Sequence, residues 1–222
     1  MKWNAAWLLL GLLFATAASA VTQGQQDDFT ANDGDWAQGT PAVGGPGGGA
    51  DGFLLLTSTG GAGGQGSRLV TYNYQAQWAG DYLAAGVEAI GLFLNNLGTT
   101  DLEIRLAFGD TQAPLQGGTW YVTTSSVALP AGSGWRFVVF DIGSADLQSA
   151  QGTASYAELM AGVATLRILH ATAPLPIGNP IAASLGIDRV VALPEPGATA
   201  LLASGLAALA LCGRARGHRA TT

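Results

Sequence analysis

Asp101-Leu102-Glu103-Ile104-Arg105-Leu106-Ala107-Phe108 alternates apolar with polar or small residues over its whole length. Successive side chains of an extended chain point to opposite faces, so Leu102, Ile104, Leu106 and Phe108 share one face. Asp101, Glu103 and Arg105 share the other, which reads as a solvated charged face. Strand-like runs recur on both sides of this stretch: Phe53–Thr59, Arg68–Tyr74, Val87–Leu94, Thr119–Val127, Trp135–Asp141, Val163–His170 and Ser184–Leu193, with a short first strand at Asp27–Thr30. Turn signals separate them, among them Asn95-Asn96-Leu97-Gly98, Gln116-Gly117-Gly118, Pro130-Ala131-Gly132-Ser133-Gly134 and Ile177-Gly178-Asn179-Pro180. Only Tyr156–Ala161 reads as a turn or two of helix. Many short strands without interleaved long helices predict an all-β domain, an antiparallel β-sandwich of jelly-roll type. No fixed-period repeat is visible, which argues against a solenoid or a propeller.

The composition narrows function as well as fold. Of 222 residues, 48% are hydrophobic, 33 are glycine, nine are Lys or Arg and fifteen are Asp or Glu. A chain this apolar is not intrinsically disordered. With a pI near 4.6 and no basic run in its interior, it lacks the clustered cations that neutralise phosphates, so nucleic acid is not an expected partner. One Cys cannot form an internal disulfide, and one Cys with two His cannot form a zinc site of the usual kind.

Both ends read as targeting segments. Met1-Lys2-Trp3-Asn4 leads into an uncharged stretch from Ala5 to Ala17 and closes with Ala18-Ser19-Ala20. A basic start, an apolar stretch and small residues at Ala18 and Ala20 make residues 1–20 a secretory signal peptide, cleaved by signal peptidase after Ala20. At the other end, Leu193-Pro194-Glu195-Pro196-Gly197 is followed by fifteen uncharged residues, Ala198–Cys212, and by Arg214, Arg216 and Arg219. The two prolines stop regular structure before the apolar run. That run is shorter than the ~20 residues a spanning helix usually needs, and arginines beyond it belong on the cytoplasmic side. Cys212 reads as a small apolar residue at the membrane edge.

This three-part tail, residues 194–222, resembles the PEP-CTERM sorting signal of Gram-negative bacteria: the motif Pro194, Glu195 and Pro196, an apolar helix over 198–212, and an Arg-rich tail over 213–222. The resemblance implies an exported protein held transiently in the inner membrane by a single C-terminal membrane-spanning helix. An exosortase-type membrane peptidase would process it at the motif, and the product would be a cell-surface or extracellular-matrix protein.

Removing both ends leaves a domain over residues 21–193. It carries fourteen acids against five arginines (Arg68, Arg105, Arg136, Arg167 and Arg189), a net charge of −9, and no lysine. Such a domain repels polyanions and anionic lipid, leaving neutral ligands and cations as expected partners. Glycine is densest between Gly44 and Gly66, and residues 44–50 read as a flexible loop. Within this region Gly61-Ala62-Gly63-Gly64-Gln65-Gly66 matches G-x-G-x-x-G, with Asp81 downstream. The dinucleotide fingerprint needs a helix directly after its glycines, whereas Ser67–Tyr72 alternates like a strand, so no nucleotide site is expected.

Catalytic motifs are missing: no G-x-S-x-G, no H-E-x-x-H. His170 ends a strand at alternate spacing with Leu166 and Ile168, the position of a half-buried structural histidine. Paired carboxylates could hydrolyse glycosides, but Asp101 and Glu103 share one charged strand face, Asp27-Asp28 and Asp33-x-Asp35 sit in turn-like sequence, and the sequence sets none of them facing another across a cleft. Calcium is the expected metal, if one is held. Asp28 precedes Phe29 of the first strand, Asp188 lies in the last, these strands are neighbours in jelly rolls, and carboxylates suit a hard cation. Among the aromatics, Gln77-Trp78-Ala79-Gly80-Asp81-Tyr82 sets rings beside an amide and a carboxylate, so Trp78, Asp81 and Tyr82 are the candidate glycan contacts. Trp135, opening an apolar strand, is expected in the core.

The domain is similar to exported sandwich domains of the galactose-binding-like and laminin-G-like kind. Asp27-Asp28-Phe29, Ser67-Arg68-Leu69-Val70 through Gln77-Trp78, and Gly186-Ile187-Asp188-Arg189-Val190 carry the similarity. It implies a non-catalytic jelly roll, often a module that binds extracellular polysaccharide, and assigns no binding residue. Two alternatives stand beside that expectation: a structural or adhesive matrix protein without a ligand site, and a secreted carboxylate-dependent glycan hydrolase or lyase. Exposed aromatics on one face would favour glycan binding, four buried tryptophans the structural role, and carboxylates facing each other across a cleft the enzyme.

Overall fold

The computed structural model describes residues 20–61, 63, 64 and 66–194. Ala18, Glu195, Pro196, the two apolar terminal segments and the Arg-rich tail lie outside the described residues. Among the described residues no helix is long and apolar enough to cross a membrane.

Two antiparallel sheets pack face to face. The first contains β1 (Gln26–Asp27), β2 (Gly39–Gly45), β3 (Gly48–Thr59), β5 (Ala89–Asn96), β9 (Arg136–Asp141) and β12 (Ala182–Leu193). Its order is β2-β3-β12-β5-β9, with β1 also on β12. The second contains β4 (Val70–Asn73), β6 (Leu102–Gly109), β7 (Trp120–Thr123), β8 (Val127–Leu129), β10 (Leu147–Gln151) and β11 (Thr165–His170). Its order is β10-β7-β6-β11-β4, with β8 also on β6. The single α-helix among the described residues, α1 (Tyr156–Met160), starts at a capping box: Ser155 Oγ accepts from the Glu158 backbone N–H, and the Glu158 carboxylate accepts from that of Ser155.

The alternation of residues 101–108 decides this arrangement as expected. Leu102, Ile104, Leu106 and Phe108 are all buried between the sheets, against Leu54, Leu56, Ile90, Leu92, Leu94 and Ile187 of the first sheet. The first and last strands are neighbours, with Asp27 opposite Val190. Val21 is buried and donates its N–H to Ala79 O, and Leu193 pairs with Ala89, so the body is tied down at both ends.

Several expectations need correction. Residues 44–50 are not a loose loop: Gly45 pairs with Gly48, making them the tip of the β2–β3 hairpin, and the Gly47 N–H donates to Asp51 Oδ2. Thr119–Val127 divides into β7, which pairs with β10 and β6, and β8, which pairs with β6. Trp135 is half-buried outside the core: it lies on the outer face of the first sheet, edge-on to Phe53 at 5.2 Å, and donates its indole N–H to Gly44 O. The polar face of β6 is not solvated either: Arg105 and Ala107 are both buried on it.

Candidate binding groove

The outer face of the second sheet is the most unusual surface of the molecule. Strand register places Tyr72 opposite Arg167 and Val70 opposite Leu169. It then places Arg167 opposite Ala107, Leu169 opposite Arg105, Ala107 opposite Val122, and Gly109 opposite Trp120. Ala107, Trp120, Val122, Leu169 and Ala171 form a second apolar cluster there, separate from the core between the sheets. Gly109 is required in it: a Cβ at that position would run into the Trp120 indole ring.

Two arginines are buried in this face, in opposite conditions. Arg105 is satisfied by carbonyls alone: its guanidinium donates to Ala171 O, Thr123 O and Thr124 O at 2.7–3.0 Å. Arg167 is only 6% exposed, yet among the described residues no carboxylate pairs with it and its Nε has no hydrogen-bond partner. Aromatic faces hold it: its guanidinium carbon stands 5.4 Å from the Tyr72 ring centre and 5.6 Å from that of Trp120. Burial pushes its pKa down to about 10, so it stays charged at neutral pH. Trp120 is anchored in turn, its indole N–H donating to Thr111 Oγ1 and Gly117 O.

Arg167 and Tyr72 line a cavity of about 330 Å³, with Arg68, Val70, Gln38 and Leu115 among its other walls. This is the lower end of the size range for small-ligand pockets. Arg68 is half-buried and held by the Gly178 and Gly63 carbonyls. Leu115, 86% exposed, follows Pro114 in a short 3-10 turn and forms an apolar rim. Tyr74, stacked on Tyr72 at 6.0 Å, extends the aromatic surface outward. The groove therefore offers an aromatic face, an apolar edge and two guanidinium donors, and among the described residues no carboxylate lines it.

The residues expected to contact glycan lie away from this groove, and two of the three are closed to a ligand. Trp78 and Tyr82 are fully buried, and the Tyr82 hydroxyl donates to Trp78 O. Asp81 Oδ1 accepts from the Ala84 N–H and stabilises a turn. The sequence stretch 77–82 is instead part of a structural network. Asp27 Oδ2 accepts from the indoles of Trp36 and Trp78 and from the Gln77 amide. Three of the domain's four tryptophans are buried, and the exposed aromatic surface is divided between Tyr72 and Tyr74 on the second sheet and Phe137 with the half-buried Trp135 and Phe93 on the first. The tyrosine–arginine stack could not be read from the chain, because Tyr72 and Arg167 meet only through strand pairing.

The two expected calcium ligands belong to neighbouring strands, Asp28 directly after β1 and Asp188 in β12. Asp188 is fully buried beside a bulge of β12, where Arg189 takes a φ of +51°. Asp188 Oδ1 accepts from the Arg189 backbone N–H, while Oδ2 is buried without a hydrogen-bond partner. Burial pushes the Asp188 carboxyl up to about 6; the charges of Asp51 and Asp28 add to this, and the Arg189 N–H and guanidinium oppose it. Arg189 reaches both Asp51 and Asp188 at 3.5 Å. Asp28 Oδ1 accepts from the Thr30 N–H. Among the described residues no group of three or more His, Cys, Asp or Glu side chains is arranged to hold a metal ion.

Three other cavities contain titratable groups: one of about 420 Å³ lined by Asp101, Glu103 and His170, one of about 170 Å³ with Asp141 and Asp146, and one of about 130 Å³ with Asp27 and Asp28; in the first, His170 stands beside two carboxylates. The carboxylates are two positions apart on one strand end, forming one wall, and do not flank a bond from opposite sides as glycoside hydrolysis requires. Asp101 accepts from the Ala131 N–H and Glu103 from the Ser126 hydroxyl. His170 Nδ1 accepts from the Glu103 N–H, and burial lowers its pKa, favouring the neutral ring.

No protein-family model matches this sequence, and no curated protein is similar to it. Among solved structures, the chain is similar to the family 11 carbohydrate-binding module from Clostridium thermocellum in complex with a β-1,3-1,4-mixed-linked tetrasaccharide. That pair has 15% identity and a TM-score of 0.51, covering 80% of this chain and 99% of that one. A second structure of a family 11 module, from the C. thermocellum cellulase Lic26A-Cel5E, gives 13% identity and a TM-score of 0.47, covering 79% and 98%. The CBM22-1–GH10 modules of xylanase 10B from the same organism, complexed with xylohexaose, give 15% and 0.45, covering 79% of this chain and 29% of that one. The first likeness places the chain among β-sandwiches of the jelly-roll kind.

Proposed function

We propose that this domain is a non-catalytic module that binds polysaccharide in the groove between Tyr72, Arg167, Arg68 and Leu115. The single observation behind this reading is the stack of Tyr72, Arg167 and Trp120 at the base of a cavity of about 330 Å³. Sugar rings present apolar C–H faces to an aromatic ring and hydroxyls to fixed donors. The sandwich fold shared with a carbohydrate-binding module is consistent with this role. The test is retention of the 21–193 domain on the exopolysaccharide of its own cells. The wild-type domain is retained and a Tyr72→Ala variant is not; no retention of the wild type with or without calcium sinks the proposal.

The same reading makes the chain an exported surface or matrix protein. Signal peptidase acts after Ala20, and an exosortase-type peptidase recognises Pro194-Glu195-Pro196. Replacing the three motif residues by alanine would leave the protein unprocessed in the inner membrane, and normal release of that variant would refute the sorting proposal. Calcium belongs to the proposal as a structural ion near Asp28 and Asp188. Asp188 Oδ2, buried without a hydrogen-bond partner and 3.5 Å from the Arg189 guanidinium, supplies a hard oxygen ligand. Calcium would then raise the thermal midpoint over that in chelator.

A further inference from the structure

We infer that the groove selects glycans carrying an isolated anionic group, a sugar carboxylate or a sulfate ester, held by the guanidinium groups of Arg167 and Arg68. The inference rests on the polysaccharide-binding reading and adds the chemical class of the ligand.

Arg167 carries it. A buried cation normally has an anionic partner or a full set of acceptors, because an uncompensated charge in a dry site is costly. Arg105, on the same sheet face, meets that requirement with three carbonyls. Arg167 does not: Nε is orphaned, no carboxylate faces it among the described residues, and its only company is two aromatic rings. Those rings fix the plane of the guanidinium, and a pre-oriented planar fork matches the oxygens of a carboxylate or sulfate. Arg68, in the wall of the same cavity, brings a second positive charge. A domain with only five arginines thus places two of them in one pocket that, among the described residues, no acid lines. A neutral sugar can offer Arg167 hydroxyl oxygens as acceptors, whereas an anion also offsets its charge.

The domain's net charge of −9 sharpens the class further. A densely charged polyanion is repelled by the domain's net negative charge. A mainly neutral glycan with spaced acidic units reaches the pocket without that repulsion.

The test uses the full chain in mild detergent and three monosaccharide probes: methyl glucuronide, methyl glucoside and methyl glucoside 6-sulfate. Affinities are measured by titration while the ¹⁵N resonance of Arg167 Nε is followed. An anionic probe is expected to bind at least about tenfold tighter than the glucoside, the worth of a charge-assisted hydrogen-bond pair. It should shift the Arg167 Nε resonance, and Arg167→Met should abolish the preference. Arg68→Gln, which leaves the aromatic stack untouched, should reduce it. Tighter binding of the glucuronide identifies a uronate as the source of the anion, and tighter binding of the sulfate a sulfated glycan. Equal affinity for glucoside and anions overturns the inference while polysaccharide binding stands. So does an anion preference that survives Arg167→Met. Failure of all three probes, together with loss of polysaccharide retention, overturns both readings.

Discussion

Trp36 and Trp78 donate their indole N–H groups to one and the same oxygen, Asp27 Oδ2, at 2.7 and 2.6 Å. Their rings meet edge to face, with centres 5.8 Å apart, and both are buried. A single carboxylate at the end of β1 thereby ties the first strand to residues nine and fifty-one positions along the chain.

Breaking that clasp should be expensive. Asp27→Ala leaves two buried indole donors without an acceptor, each costing about 1–3 kcal/mol. Asp27→Asn keeps one carbonyl oxygen and should lose roughly half as much. Urea unfolding followed by tryptophan fluorescence measures both. A loss below about 1 kcal/mol for the alanine variant would show that the clasp is not a stability determinant.

The clasp also explains why some of the molecule was legible in sequence and some was not. The alternation of Leu102, Ile104, Leu106 and Phe108 is local, so a face of buried side chains could be read directly. Trp78, Asp81 and Tyr82 have the composition of a sugar contact, but the same residue types build a buried network once Asp27 is brought to Trp78 from far away in the chain. Arg105 and Glu103 read as a solvated face because nothing nearby in sequence announces that Trp120 and Leu169 cover it. The glycines of residues 44–50 look like a linker, and become a hairpin tip because β3 supplies pairing partners.

Gly109 offers a test of the groove that leaves its ligand-facing residues unchanged. Its absent Cβ makes room for Trp120, which backs Arg167. Gly109→Ala should cost about 1–3 kcal/mol through overpacking and shift the indole. Retention on polysaccharide should fall with it, read by affinity electrophoresis below the unfolding temperature. Unaltered retention would show that Trp120 does not position Arg167.

Acidity should act on stability through Asp188. Its folded carboxyl titrates at about 6 against an ordinary 3.8, so the folded state takes up the proton first. In chelator, stability should therefore rise as pH falls from above 6 to below 4, by up to about 3 kcal/mol, and then level off. His170 opposes this, because burial lowers its pKa and protonation favours unfolding as pH falls below its ordinary 6.5. The difference between wild type and Asp188→Asn isolates the carboxylate, and Asn should flatten the rise. Calcium should stabilise more at pH 7 than at pH 4.5, where Asp188 is protonated. Equal pH profiles for the two proteins would remove Asp188 as the origin.

The two buried arginines of the second sheet give the sharpest contrast. Both are 6% exposed and both lie on its outer face. Arg105→Met strips three carbonyls of their donor and should cost on the order of 3 kcal/mol. Arg167→Met removes a charge that nothing in the described chain compensates, and keeps an unbranched apolar stem against Tyr72 and Trp120. Replacing a poorly compensated buried charge by an apolar side chain is often neutral or stabilising, so this variant should stay within about 1 kcal/mol of wild type while losing glycan retention. Paired denaturation curves decide the matter. Similar losses for both would mean that Arg167 is held for the fold, whereas loss from Arg105 alone means that its stability cost is kept for a ligand.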